Sequence, residues 1–110
     1  MADAQVLDRT YAALANPTRR DLLVALRHRD ANITDLAAPL PMSFAGVSRH
    51  VGVLESAGLV RREIRGREHW ISIVPGRLLR AERWLGQQTA CWTTRTDELE
   101  AKLRRKRPSR

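Results

Sequence analysis

Two prolines, Pro39 and Pro41, stand between a stretch beginning Asn32-Ile33-Thr34-Asp35 and one beginning Ser43-Phe44-Ala45. An α-helix breaks at such a pair, because each proline lacks a backbone N–H and its ring collides with the preceding turn. Both flanking stretches nevertheless carry helix starts. Asn32 with Asp35 is a weak capping box, with Asp in place of the usual Glu, and Ser43 suits an N-cap. The first helix, TDLAA, is therefore short, while the second runs to about Ala57, where Gly58 fits a C-terminal stop. A short helix, a tight connection and a second helix form the helix-turn-helix pattern.

The second helix has an unusual outer face. Val47, Val51 and Leu54 make an apolar stripe at helical spacing, and opposite it lie Ala45, Arg49, Gly52 and Ser56. Most of these are small, and a glycine inside a helix costs about 1 kcal/mol relative to alanine. The bare face therefore calls for a reason.

Upstream, AQVLDRTYAALA places Val6, Leu7, Tyr11 and Leu14 at helical intervals. Asn16-Pro17 interrupts, with Asn16 as a cap and Pro17 as the first residue of the helix PTRRDLLVALRHR, which turns Leu22, Leu23 and Leu26 inward. Its basic end, Arg27 to Arg29, suits a helix C-terminus. Downstream, from Val60 to Val74, VRREI and EHWISIV are β-branched and aromatic and flank Arg65-Gly66, a hairpin-turn signal. Pro75-Gly76 ends the hairpin. A long helix is predicted over residues 77–104, with Leu78, Leu85, Trp92 and Leu99 recurring every seventh position. Ala81, Gln88 and Arg95 beside them are too polar for a true coiled coil, so the stripe reads as packing on the chain's own domain and on a partner.

With 110 residues the chain holds one domain with a modest core. Twenty Lys+Arg against twelve Asp+Glu give a net charge of +8, which favours a polyanionic partner, nucleic acid above all. Lysine occurs only at positions 102 and 106, so the excess is almost entirely arginine, suited to bidentate contacts with phosphate or guanine. No apolar run is long enough for a membrane span, and the N-terminus lacks the pattern of a secretory signal. The single cysteine, Cys91, excludes an internal disulfide and fits a reducing cytoplasm.

Three segments together resemble the ArsR/SmtB family of bacterial winged-helix repressors. ALANPTRRDLLVAL is similar to the family's segment around its second helix, MSFAGVSRHVGVLESAGLV to its recognition-helix signature, and GREHWISI takes the place of the wing's second strand. The likeness covers roughly residues 6–74, and the Trp-containing last helix resembles a non-metal branch. The resemblance implies an α+β, mainly α fold: a winged helix-turn-helix with a two-stranded wing hairpin and a long C-terminal dimerisation helix. It also implies a homodimer held by its first and last helices and repressing transcription from a partly palindromic double-stranded DNA operator. Residues 1–104 then form the DNA-binding and dimerisation domain, and 105–110 a basic, disordered tail that adds nonspecific affinity.

By the same resemblance Ser43, Phe44, Ala45, Ser48, Arg49 and His50 fall where DNA is contacted. The bare face is then clearance: Ala45, Gly46 and Gly52 let the backbone approach base edges, and Arg49 reaches a guanine or a phosphate. Phe44 and Gly46 depart from the family pattern, and Phe44 either touches a thymine methyl or folds under against the core. Arg65 and Arg67 flank the wing turn and are candidates for phosphate or minor-groove contact, with Arg61 and Arg62 weaker ones. The dimerisation candidates are Val6, Leu7 and Tyr11 on the first helix and Leu78, Leu85, Cys91, Trp92 and Leu99 on the last.

The chemistry of metal sensing does not transfer. Soft divalent ions need clustered thiolates and imidazoles, whereas Asn32-Ile33-Thr34 stands where some relatives carry Cys-x-Cys. The three histidines, at 28, 50 and 69, sit in three separate elements, so neither metal nor cofactor is expected. Cys91 reads either as a small buried apolar residue or as an oxidisable thiol near the dimer axis that makes the regulator thiol-responsive. Trp84 and Trp92 read as interface packing, or as the lining of a dimer cavity for an apolar small-molecule effector of unknown identity. No nucleophile–base pair or phosphate-binding loop points to an enzyme. The charge and the basic tail also fit a DNA-coating architectural protein of low specificity, which a salt titration on specific and scrambled duplexes separates from a regulator.

Overall fold

A computed structural model of the chain describes residues 3–106, and within it all three inferred caps are formed. Asn16 Oδ1 accepts from the Arg19 N–H at 3.1 Å, Asn32 Oδ1 from Asp35 N–H at 2.8 Å, and Ser43 Oγ from Gly46 N–H at 3.1 Å. They open α2 (Pro17–Ala25), α3 (Ile33–Ala37) and α4 (Phe44–Ser56), following α1 (Asp3–Leu14). After α4 come a hairpin, β2 (Val60–Arg65) and β3 (Glu68–Ile73), and a terminal helix α5 (Gly76–Lys106).

The sheet is larger than the two-stranded wing expected. A two-residue strand β1 (Ala31–Asn32) pairs antiparallel with β3, Ala31 opposite Ile71 and Asn32 opposite Trp70, giving the order β1-β3-β2. Two residues have no period to read, so β1 carries no signal in the sequence. The turn also sits one position later than Arg65-Gly66. Arg65 pairs with Glu68, so Gly66 and Arg67 form the loop. Gly66 takes φ +62 while no non-glycine among the described residues has positive φ, as in a hairpin turn that needs glycine first.

One core joins the end of α1 with α2, α3, α4 and the sheet. Leu22, Leu26, Ile33, Leu36, Val47, Val51, Leu54, Leu59 and Ile71 are among its buried members, so the apolar stripe of α4 faces inward as its spacing requires. A second contact joins α1 to α5, and Val6, Thr10 and Ala81 are buried in these helices. Thr10 satisfies its hydroxyl by donating to the Val6 carbonyl at 2.8 Å. Tyr11 donates to the Ala81 carbonyl at 3.0 Å, and its ring meets Trp84 edge-on at 6.3 Å.

α5 runs past the predicted end at 104, through Arg105 and Lys106. Arg104 reaches Glu100 at 3.8 Å and Arg105 the Ala101 carbonyl at 3.4 Å, so cations that suit a helix C-terminus extend it. The rest of the expected tail, residues 107–110, lies outside the described residues.

Candidate nucleic-acid interface

α4 projects its candidate residues by simple helical geometry. With Val47, Val51 and Leu54 fixed inward, Ala45 and Arg49 point outward, Phe44 and Ser48 lie on the flank towards β2, and His50 lies on the flank towards α2. Phe44 is 55% exposed, so of its two readings the core one is overturned: its position beside the cap turns it to solvent. Arg49 is exposed and makes no hydrogen bond or ion pair among the described residues. Ser43 is exposed, but its hydroxyl is engaged in the cap; Ser48 is half-buried.

His50 is held from behind. Arg19 Nη1 lies 3.3 Å from His50 Nδ1, while Arg19 Nε and Nη2 donate to the Ala13 and Ala12 carbonyls at 2.7 and 3.0 Å. Because arginine only donates, Nδ1 is the acceptor and the ring proton is on Nε2. Arg20 donates to the Leu14 carbonyl at 2.8 Å. These two arginines therefore close the C-terminus of α1 and tie it to α4. The pair was visible in NPTRR, and a cation just past a helix end is the signal that assigns it this role.

At the wing the two flanking cations have different fates. Arg65 Nη2 donates to Glu63 Oε2 at 3.1 Å and its guanidinium lies 5.2 Å from the centre of the Trp70 ring, whose Nε1 donates to Glu68 at 2.9 Å. The hydrogen bond and charge of Arg65 hold the Glu63 carboxyl below its ordinary range, and Glu63 raises Arg65 in return. Arg67, on the loop, is exposed and has no partner among the described residues. Arg62 turns inward instead. Its Nη1 meets His69 Nδ1 at 2.9 Å, and its Nε sits 3.4 Å from Glu55 Oε1, an ion-pair distance without hydrogen-bond alignment. Arg61 stays exposed.

The expected dimerisation residues divide. Val6, 4% exposed, is already buried within one chain, and Leu78 packs on the chain's own core. Leu7 and Tyr11 are half-buried. Leu85, Trp92 and Leu99 are exposed, Trp92 at 59%. Cys91 is exposed too, which overturns its buried reading for the single chain, because nothing among the described residues packs over that stretch of α5. Gly52 is half-buried, and a side chain there would meet open space. It lies on the outward face of α4 near Ala45 and Arg49, and it also lines a groove shared with Ala12 and Ala13 of α1.

Comparison with known proteins follows the same outline. A helix-turn-helix domain family model matches residues 14–63, from the end of α1 into β2. The chain is 31% identical over 80 residues to a transcriptional repressor SmtB homolog of Synechocystis sp., a match covering 73% of this chain and 61% of that protein. It is 43% identical over 53 residues to the HTH-type transcriptional regulator Rv2034 of Mycobacterium tuberculosis, covering 48% and 50%. A crystal structure of an ArsR family transcriptional regulator superposes with a TM-score of 0.76 at 32% identity, covering 80% of this chain and 97% of the other. The chain belongs to the ArsR/SmtB family. As an ArsR/SmtB chain it spans 50 to 61% of the length of the curated relatives it matches. Among its described residues no three His, Cys, Asp or Glu side chains gather as metal ligands, and two histidine Nδ1 atoms are taken by arginines.

Proposed function

We propose that the chain is a sequence-specific DNA-binding transcriptional repressor. It acts as a homodimer on an inverted-repeat operator, in the cytoplasm and without catalytic activity. Residues 1–104 serve as one DNA-binding and dimerisation domain, and the cations of 105–110 add nonspecific attraction to phosphate. The outer edge of α4 enters the major groove with Phe44, Ala45, Ser48 and Arg49 foremost, and Arg67 meets phosphates beside it. Arg65 and His50 act in support, since each already holds a partner inside the fold.

The supporting observation is the split of α4. Its apolar stripe is locked into the core, while its free edge presents a short alanine, an exposed aromatic ring and one unpaired guanidinium. A surface helix with no partner has little reason to expose that set, whereas a helix approaching base edges needs low side chains and a few long donors.

Selection of bound duplexes from a random-sequence pool tests the proposal. It yields an inverted repeat, and specific binding exceeds that to scrambled duplex by about a thousandfold or more. Near-equal affinities and salt slopes for all duplexes overturn it in favour of a coating protein.

A further inference from the structure

α1 and α4 diverge to leave a groove of about 730 Å³, a size that accepts a small organic molecule. Its floor is apolar and shallow, made by Ala12 and Ala13 of α1 and Gly52 and Val53 of α4. Arg9 and Arg49 line it too, both exposed and unpaired among the described residues, and no Asp or Glu does. Arg19 is a third cation in the lining, fixed by the α1 carbonyls and His50.

Gly52 keeps one side of this groove low. Its φ is not positive, and a Cβ added to it meets no atom within 4 Å. Neither backbone conformation nor packing in the chain demands a glycine there, and a helix interior disfavours one. The missing side chain leaves the floor of the groove open, on the same outward face that the DNA reading uses.

The geometry points to a binding site for an apolar carboxylate, a fatty-acid-like molecule whose headgroup pairs with Arg9 and Arg49 and whose chain lies over Ala12, Ala13, Gly52 and Val53. The cations without a counter-charge select the anion, and the apolar floor selects the tail over a bare phosphate. Its regulatory consequence rests on the DNA-binding reading above. A headgroup on Arg49 withdraws that side chain from DNA, so ligand and DNA weaken each other's binding by the same factor.

Titration calorimetry of the full chain with sodium decanoate, below micelle-forming concentration, tests the site without DNA. Saturable binding at one per chain is expected, weakened about tenfold in Arg9→Gln and likewise in Gly52→Leu, both still melting cooperatively. Acetate, lacking the tail, and decylamine, with the opposite charge, are expected not to bind. Decanoate binding unchanged in both variants, equal binding of acetate or decylamine, or binding that only accompanies dimer dissociation overturns the site; the last makes a second copy the occupant. A separate arm measures a selected duplex with and without decanoate, using Arg9→Gln, whose response is expected to need about tenfold more decanoate, as the control. If decanoate binds but no duplex is recognised, the DNA reading fails and the site stands. If the duplex binds equally well at saturating decanoate, the site stands and its regulatory link is overturned.

Discussion

Gly52 and Gly58 lie six positions apart around the end of α4, and substituting alanine at each tests a different kind of constraint. Gly58 sits at φ +75, and an added Cβ falls 2.6 Å from the Arg77 guanidinium carbon, which is held there by a bond from Nη1 to the Ala57 carbonyl at 2.8 Å. Gly58→Ala is expected to destabilise the chain by about 1–2 kcal/mol from backbone strain alone, read by urea unfolding. Gly52→Ala is expected to do the opposite, stabilising by about 0.5–1 kcal/mol, since the site is helical and open. Gly58 was legible as a stop because the periodic stripe ends just before it. The groove that Gly52 shares with α1 joins residues some forty positions apart, and no local pattern contains it. On the DNA side, Arg49→Ala is expected to cost about 1–3 kcal/mol of operator binding and relax preference at one base position. Arg67→Ala is expected to weaken all sequences alike and lower the salt slope by about 1. Binding to the selected duplex and its single-base variants, with melts of each protein, distinguishes these outcomes.

Among the elements, the helices were readable because their starts are chemical: Asn16, Asn32 and Ser43 each place an oxygen where a free N–H needs one. What joins the elements was not. Arg19 sits on α2, yet its three contacts are on α1 and α4. Arg19→Ala is expected to lower stability by about 1.5–3 kcal/mol, as loss of charged hydrogen bonds does, and to speed amide exchange at the end of α1. In the wing, the Glu63–Arg65 pair has a defined pH response. Glu63 is depressed in the folded chain, so its contribution is present above the ordinary carboxylate pKa and lost as pH falls through the lowered value. Arg65 is raised, so its contribution is complete below the ordinary guanidinium pKa and lost only as pH rises through the higher one. Between about pH 5 and 9 neither group titrates, and an NMR titration of the Glu63 carboxyl carbon is expected to be flat there.

The whole molecule is drawn out by α5. Its 31 residues make a rod about 46 Å long, and the chain measures 76 × 32 × 22 Å with a radius of gyration of 20.5 Å, against about 13 Å for a compact domain of this length. The seventh-residue stripe was legible, but its division was not. Leu78 anchors the rod to its own core, and Leu85, Trp92 and Leu99 are left bare, with nothing among the described residues to cover them. In the proposed dimer a second copy covers them, so Trp92→Glu is expected to give monomers by sedimentation and to reduce operator affinity to that of one half-site. Two copies of α4 presented by such a scaffold meet the same face of DNA one helical turn apart, about 34 Å. Hydroxyl-radical footprinting of the wild-type protein on its selected duplex tests this most directly. The account predicts two protected patches one turn apart, related by the symmetry of the repeat; a single patch, or even protection along the whole duplex, contradicts it.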